Sequence, residues 1–106
     1  LLLHQADWLS SLLLEERDRD GVSDFNNALK LGYDPGEQDY PGWMKAQNFF
    51  GMLPKRVLAP STPIGRVSRL ISETYNIPDK CQVAAGTTDS IAAFLAAGAS
   101  QPGEAV

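Results

Sequence analysis

The sequence has one cysteine, Cys81, so no internal disulfide can form, and a small secreted scaffold held by disulfides is excluded. It has one histidine, His4, and no Cys/His cluster, which leaves no ligand set for a zinc site. Positive charge is not in excess: nine basic side chains against thirteen acidic ones give a net charge of -4, so a nucleic-acid-binding surface is not expected. Long hydrophobic runs are missing too. The most apolar stretch, Ile91 to Ala99, is about nine residues, whereas a bilayer span needs roughly 20, and no membrane partner is expected. There is no Gly-x-x-x-x-Gly-Lys loop and no Gly-x-Gly-x-x-Gly turn, the two familiar nucleotide fingerprints. There is no Gly-x-Ser-x-Gly either, so Ser90 beside Asp89 does not read as a hydrolase nucleophile.

What is present is ordinary globular composition. Of 106 residues, 43% are hydrophobic and 21% charged, which argues for a folded chain over a disordered one. The length suits one small domain or a piece of one. The chain opens on Leu1-Leu2-Leu3 without the charged start of a signal peptide. It closes on Pro102-Gly103-Glu104-Ala105-Val106, which reads as a turn entering a strand. These ends predict a fragment of a longer protein.

The spacing of Ala6, Leu9, Leu12 and Leu13, with Trp8 beside them, predicts a helix over Leu2 to Glu16, ended by the charged turn Arg17 to Gly21. Ser23 or Asp24 offers an N-cap to a short helical segment through Asn27 to Leu31, and Gly32 suits its C-terminus. Pro41 suits the first turn of a short helix through Trp43 and Met44. Leu53-Pro54-Lys55 starts an extended stretch, and Ile64 to Val67 reads as an edge strand. Ser68 to Tyr75 reads as a helix stopped by Asn76 and Pro78, Gln82 to Ala85 as a short apolar strand, and Asp89 to Ala99 as an alanine-rich helix closed by Gly98 or Gly103. This order of strand, helix, strand, turn and helix predicts an α/β layer. Ala92, Ala93, Ala96 and Ala97 present little side chain, which predicts a tightly packed core helix and also suits a helix on the hinge side between two domains. Cys81 is expected to be a buried strand residue in a reducing compartment.

Two stretches invite a chemical reading. Glu16, Asp18, Asp20, Gly21, Asp24 and Asn27 approach the spacing of a calcium loop, but the twelfth position is Asn27, which supplies no bidentate carboxylate, and a solvated charged turn is the better reading. Gly86-Thr87-Thr88-Asp89-Ser90 is the more informative. A strand stops, a glycine turns the chain, and a helix begins, which is where α/β sheets bind ligands and where free N–H groups face an oxygen-rich ligand. A carboxylate held there would accept a proton from a hydroxyl. The alternative is that Thr88 or Asp89 simply caps the helix.

At this turn the sequence becomes familiar. Ala85-Gly86-Thr87-Thr88-Asp89-Ser90-Ile91-Ala92-Ala93-Phe94-Leu95-Ala96-Ala97-Gly98-Ala99, followed by Pro102-Gly103-Glu104, resembles the end of the first domain of the FGGY carbohydrate kinases. Three earlier segments resemble that family in the same order: His4-Gln5-Ala6-Asp7-Trp8-Leu9, Ser23-Asp24-Phe25-Asn26-Asn27-Ala28-Leu29, and Leu53-Pro54-Lys55 through Pro63-Ile64-Gly65. Within the family, the plant and cyanobacterial D-ribulose kinase branch, often labelled xylulose kinase-like, is the most similar.

The resemblance covers nearly the whole chain. It implies an α/β fold that is the second half of an actin-like ATPase, ribonuclease H-like domain, with residues 1–106 as the C-terminal part of the kinase's first domain. It implies ATP and Mg2+ as cofactors, a sugar such as D-ribulose as substrate, and Asp89 as the general base. Thr88 and Ser90 would then be substrate-binding candidates and Thr87 a cofactor-binding one. Where related glycerol kinases carry a glutamine that touches substrate, this sequence has Ser90. The resemblance assigns no metal ligand to this segment, places the remaining phosphate and adenine contacts outside it, and leads to the expectation that the segment alone is marginally stable and inactive. It fits a cytoplasmic enzyme, or one of a plastid stroma. The other readings are a kinase of the same family for xylulose, glycerol or sedoheptulose, and a non-catalytic half-domain used for packing or partner binding.

Overall fold

The computed structural model describes residues 1–104. Its elements are α1 (Gln5–Leu12), β1 (Val22–Asp24), α2 (Phe25–Leu29), α3 (Gly42–Lys45), β2 (Arg56–Leu58), β3 (Pro63–Arg66), α4 (Arg69–Tyr75), β4 (Gln82–Ala84) and α5 (Asp89–Ala96), with short 3-10 turns at Glu16–Asp18 and Phe50–Met52. The chain is mixed helix and strand. Its strands form two separate pairs rather than one layer. β1 and β2 run parallel, with Ser23 opposite Val57, while β3 and β4 run antiparallel on either side of α4. β3 has a single partner, as an edge strand does. The strand expected to begin at Ala105–Val106 lies outside the described residues.

Most boundaries follow from caps. Ser68 accepts from the Ile71 amide at 3.2 Å and starts α4, and Asn76 closes it in the left-handed region at φ 54°. Gly32 ends the α2 segment at φ 96°, and a Cβ there would stand 2.6 Å from Met44 Sδ, so both the turn and the packing require glycine. The first helix is shorter than its pattern predicts. It stops at Leu12 because Leu14 leaves it to bridge Val67 and is almost completely buried, while the Ser68 amide bonds the Leu13 carbonyl at 2.7 Å. The last helix likewise ends at Ala96, closed by Gly98 at φ 78°.

The core lies around the loop after α2. Ala28, Tyr33, Tyr40, Met44 and Leu53 are buried, with Phe25, Leu31, Phe50 and Val57 packed against them. Tyr33 meets Tyr40 edge-on at 5.0 Å between centroids, and Tyr40 meets Phe50 likewise at 5.6 Å, contacts worth about 0.5–1.5 kcal/mol each beyond their buried area. Burial pushes the Tyr40 phenol up to about 12, so it remains a donor to the Pro54 carbonyl, 3.1 Å away, through the neutral range.

Two expectations about packing are overturned, that α5 is a packed core helix and that Cys81 is buried, and α1 packs in a way its spacing does not show. The leucine stripe of α1 is not its buried face: Trp8, Leu9, Leu12 and Leu13 are exposed, and Asp7 is the residue buried. Asp7 turns inward because Ser23 Oγ donates to it at 2.6 Å, and α1 therefore docks on β1 through a polar contact. The alanine-rich helix α5 is not a packed core helix, since none of its residues is buried and Leu95 is 61% exposed. On its apolar side Ile91 is exposed as well. Cys81 is exposed, because it precedes β4 and belongs to the turn after Pro78, to whose carbonyl its amide bonds at 2.9 Å.

Candidate functional site

The turn after β4 is assembled from both ends of the chain. Asp24 is the N-cap of α2 and is wholly buried. Its Oδ1 accepts from the amides of Asn26 and Asn27 at 2.9 and 3.0 Å, and its Oδ2 accepts from the Asn27 side chain at 2.6 Å. This fixes both asparagines at the start of the helix. From there Asn26 Nδ2 donates to Thr87 Oγ1 at 2.7 Å, and Asn27 Nδ2 makes a longer contact of 3.5 Å to the Thr87 carbonyl. Thr88, also buried, caps α5 by accepting from the Ile91 amide at 3.4 Å.

Of the two cap candidates, Thr88 takes the task, and Asp89 follows as the first helical residue. Asp89 is exposed, and its Oδ1 accepts only from the next amide, that of Ser90, at 2.8 Å. It faces an open cavity of about 580 Å³ that His4, Asn27, Lys30, Thr87 and Thr88 also line. Its Oδ2 has no partner among the described residues, so a carboxylate at this position is free to accept from a ligand hydroxyl. Ser90 is exposed one residue further on and does not line the cavity.

Behind the cavity lies a second acidic group. Asp7 is buried, and its carboxyl is raised above the usual aspartate range by loss of solvent, with the Ser23 hydrogen bond acting against that rise and the charge of Asp24 adding to it. His4 Nδ1 stands 3.7 Å from Asp7 Oδ2 and is buried with no hydrogen-bond partner. In the sequence His4 stood out as the lone histidine and as the first residue of a segment carrying the resemblance; as the N-cap of α1, three residues before Asp7, it is brought against that carboxylate by the first helical turn.

No protein-family model matches the chain. The geometry nevertheless joins three of the segments that carried the resemblance: the one holding Asp7, the one holding Asp24 to Asn27, and the one holding Thr87 to Asp89. The fourth enters through β2, which pairs with β1, and β3, which pairs with β4. Thr87, Thr88 and Asp89 reach one cavity, and Ser90 does not.

For a divalent metal the residues do not fit. Among the described residues no group of three or more His, Cys, Asp and Glu is placed to hold an ion. Both Asp24 oxygens are taken by Asn26 and Asn27, and Asp7 Oδ2 by Ser23, while Asp7 does not line the cavity, leaving Asp89 as the one carboxylate there. The calcium-like stretch is likewise dispersed, with Asp24 turned inward and Asp20 paired to Arg56 at 3.4 Å.

Proposed function

We propose that this chain is the later part of the first, actin-like domain of an FGGY-type carbohydrate kinase, which transfers the γ-phosphate of ATP to a hydroxyl of a sugar, most consistently a pentulose such as D-ribulose. The observation that carries the reading is the convergence of three separated motif segments on the turn that presents Asp89 to an open cavity. A turn whose only purpose was to cap α5 would need Thr88 alone.

In this reading the Asp89 carboxylate accepts the proton of the attacking hydroxyl. The hydroxyl oxygen forms a bond to the γ-phosphorus, the bond from that phosphorus to the bridging oxygen breaks, and ADP leaves. Such transfer depends on positioning and charge neutralisation more than on covalent chemistry. The chain's share is to hold a free carboxylate at hydrogen-bond reach of the sugar. Thr87 still has its hydroxyl proton to give, and Thr88 and Ser90 flank the base. Mg2+, when bound with ATP, supplies charge neutralisation, and among the described residues no set is placed to hold it. The proposed compartment is the cytoplasm, with a plastid stroma as the alternative.

In the whole protein that carries this chain, Asp89→Asn is expected to leave ATP binding nearly intact and cut sugar phosphorylation by about 10²-fold or more. Near-normal turnover would overturn the assignment. A screen of ribulose, xylulose, glycerol and sedoheptulose with ATP identifies the acceptor. The second reading is a non-catalytic half-domain, which the exposed apolar side of α5 favours; absence of turnover with every acceptor would select it.

A further inference from the structure

We infer that the β1–α2 corner is a positioning device for the turn that carries Asp89, with Asn26 as its acting residue. The catalytic consequence rests on the kinase reading above, while the mechanical one stands apart from it. Asn26 Nδ2 reaches Thr87 Oγ1 at 2.7 Å across 61 residues of sequence. Asn26 itself has little freedom, because its amide is held by the wholly buried carboxylate of Asp24 at 2.9 Å. Asn27 is held by the same carboxylate at its amide and its side chain, and touches the Thr87 carbonyl from beside Asn26. A fixed buried anion thus orients two amide groups, and these grip the residue two before Asp89.

Apart from the Thr88 cap, the turn has few other restraints. Asp89 bonds only its own neighbour, and α5 contributes no buried side chain that would anchor the turn by packing. The strand before it ends at Ala84, with Ala85 tied to Thr62 and Ser61 at 2.8 Å each, so between Gly86 and Asp89 the restraints are the Thr88 cap and the contacts from Asn26 and Asn27. An error of about 1 Å in the place of a reacting group costs up to about 10²-fold in rate. Asn26 is therefore a positioning residue, not a catalytic one: it touches no reacting atom.

The test compares Asn26→Ala, Asn26→Asp and Asp89→Asn in the whole protein. Asn26→Ala removes the donor. The sugar kcat is expected to fall about tenfold with KM for sugar within about twofold, and amide exchange at Thr88 to Ser90 to quicken while amides of the Tyr33–Tyr40 core keep their protection. Asn26→Asp keeps the shape and lets the Thr87 hydroxyl donate instead, so it is expected to recover most of the lost kcat and most of the protection. A wild-type kcat in Asn26→Ala, or a kcat in Asn26→Asp no better than in Asn26→Ala, overturns the catalytic consequence. Unchanged exchange at Thr88 to Ser90 overturns the positioning device itself. If Asp89→Asn keeps full turnover, the base assignment fails instead, and the exchange data alone then decide whether the corner holds the turn.

Discussion

Two buried aspartates, seventeen residues apart, do different work. Asp24 is fully supplied with donors: two backbone amides and one side-chain amide. Truncating it removes an N-cap, worth about 0.5–2 kcal/mol, and orphans the Asn27 side chain, at about 1–3 kcal/mol. Asp24→Ala is therefore expected to cost about 2–4 kcal/mol, read as a lower urea midpoint, and Asp24→Asn less, since one acceptor oxygen remains. Asp7 is poorly supplied, with one hydroxyl donor and Asp24 nearby, and its carboxyl is raised, chiefly by burial. The folded state thus holds this proton more tightly than the unfolded chain, and stability falls as pH rises from the ordinary aspartate range through the raised folded value. Asp7→Asn keeps an acceptor for Ser23 and removes the charge. Its urea midpoint, relative to the parent chain, is expected to improve as pH is raised through that window; a constant difference between the two chains across pH would contradict this.

Among the elements, α4 shows how little local sequence is needed when caps are good. It has no buried residue, and Leu70 is 73% exposed, yet Ser68 and Asn76 close both ends. The Arg69–Glu73 pair at spacing four is exposed and screened by water, so it adds little. Asn76 sits at φ 54°, a region that costs an ordinary side chain about 1–2 kcal/mol. Asn76→Val is expected to lower stability by about that much and Asn76→Gly to leave it unchanged or slightly higher, measured by thermal or urea unfolding. Equal losses from both would mean that the side chain, not the backbone angle, matters there.

Taken as a whole, the molecule is broad and thin. Its extents are 42 × 41 × 19 Å and its radius of gyration is 15.5 Å, where about 13 Å is usual for this length. Its buried residues are divided between the Tyr33–Tyr40–Met44 cluster and a second set that includes Leu14, Val22, Val67 and Val83, while the leucine side of α1 and the apolar side of α5 are left uncovered. These faces support the proposal that more of a domain packs against them. For the chain by itself, Leu9→Glu and Leu95→Glu are expected to change folding stability by less than about 0.5 kcal/mol, as exposed substitutions do, while lowering binding of a hydrophobic dye and self-association at micromolar concentration. In the whole protein the same changes are expected to destabilise by several-fold more. Equal, small effects in both settings would count against a covering partner.

Local signals legible in the sequence were those set by one or two residues. The caps at Asp24, Ser68 and Thr88 and the glycine stops at Gly32 and Gly98 needed only the chain's own chemistry, and the structure places elements at each. The turn of Gly86 to Ser90 was legible for the same reason. Burial was not. Helical spacing put the leucines of α1 on a helix and the small side chains of α5 suggested close packing, but neither signal says what lies opposite. Only the tertiary structure decided that Asp7 faces inward, that Cys81 faces outward, that β3 and β4 run antiparallel, and that Asn26 meets Thr87. Those outcomes depend on segments tens of residues apart, whose meeting is fixed by pairing and packing that no local pattern records.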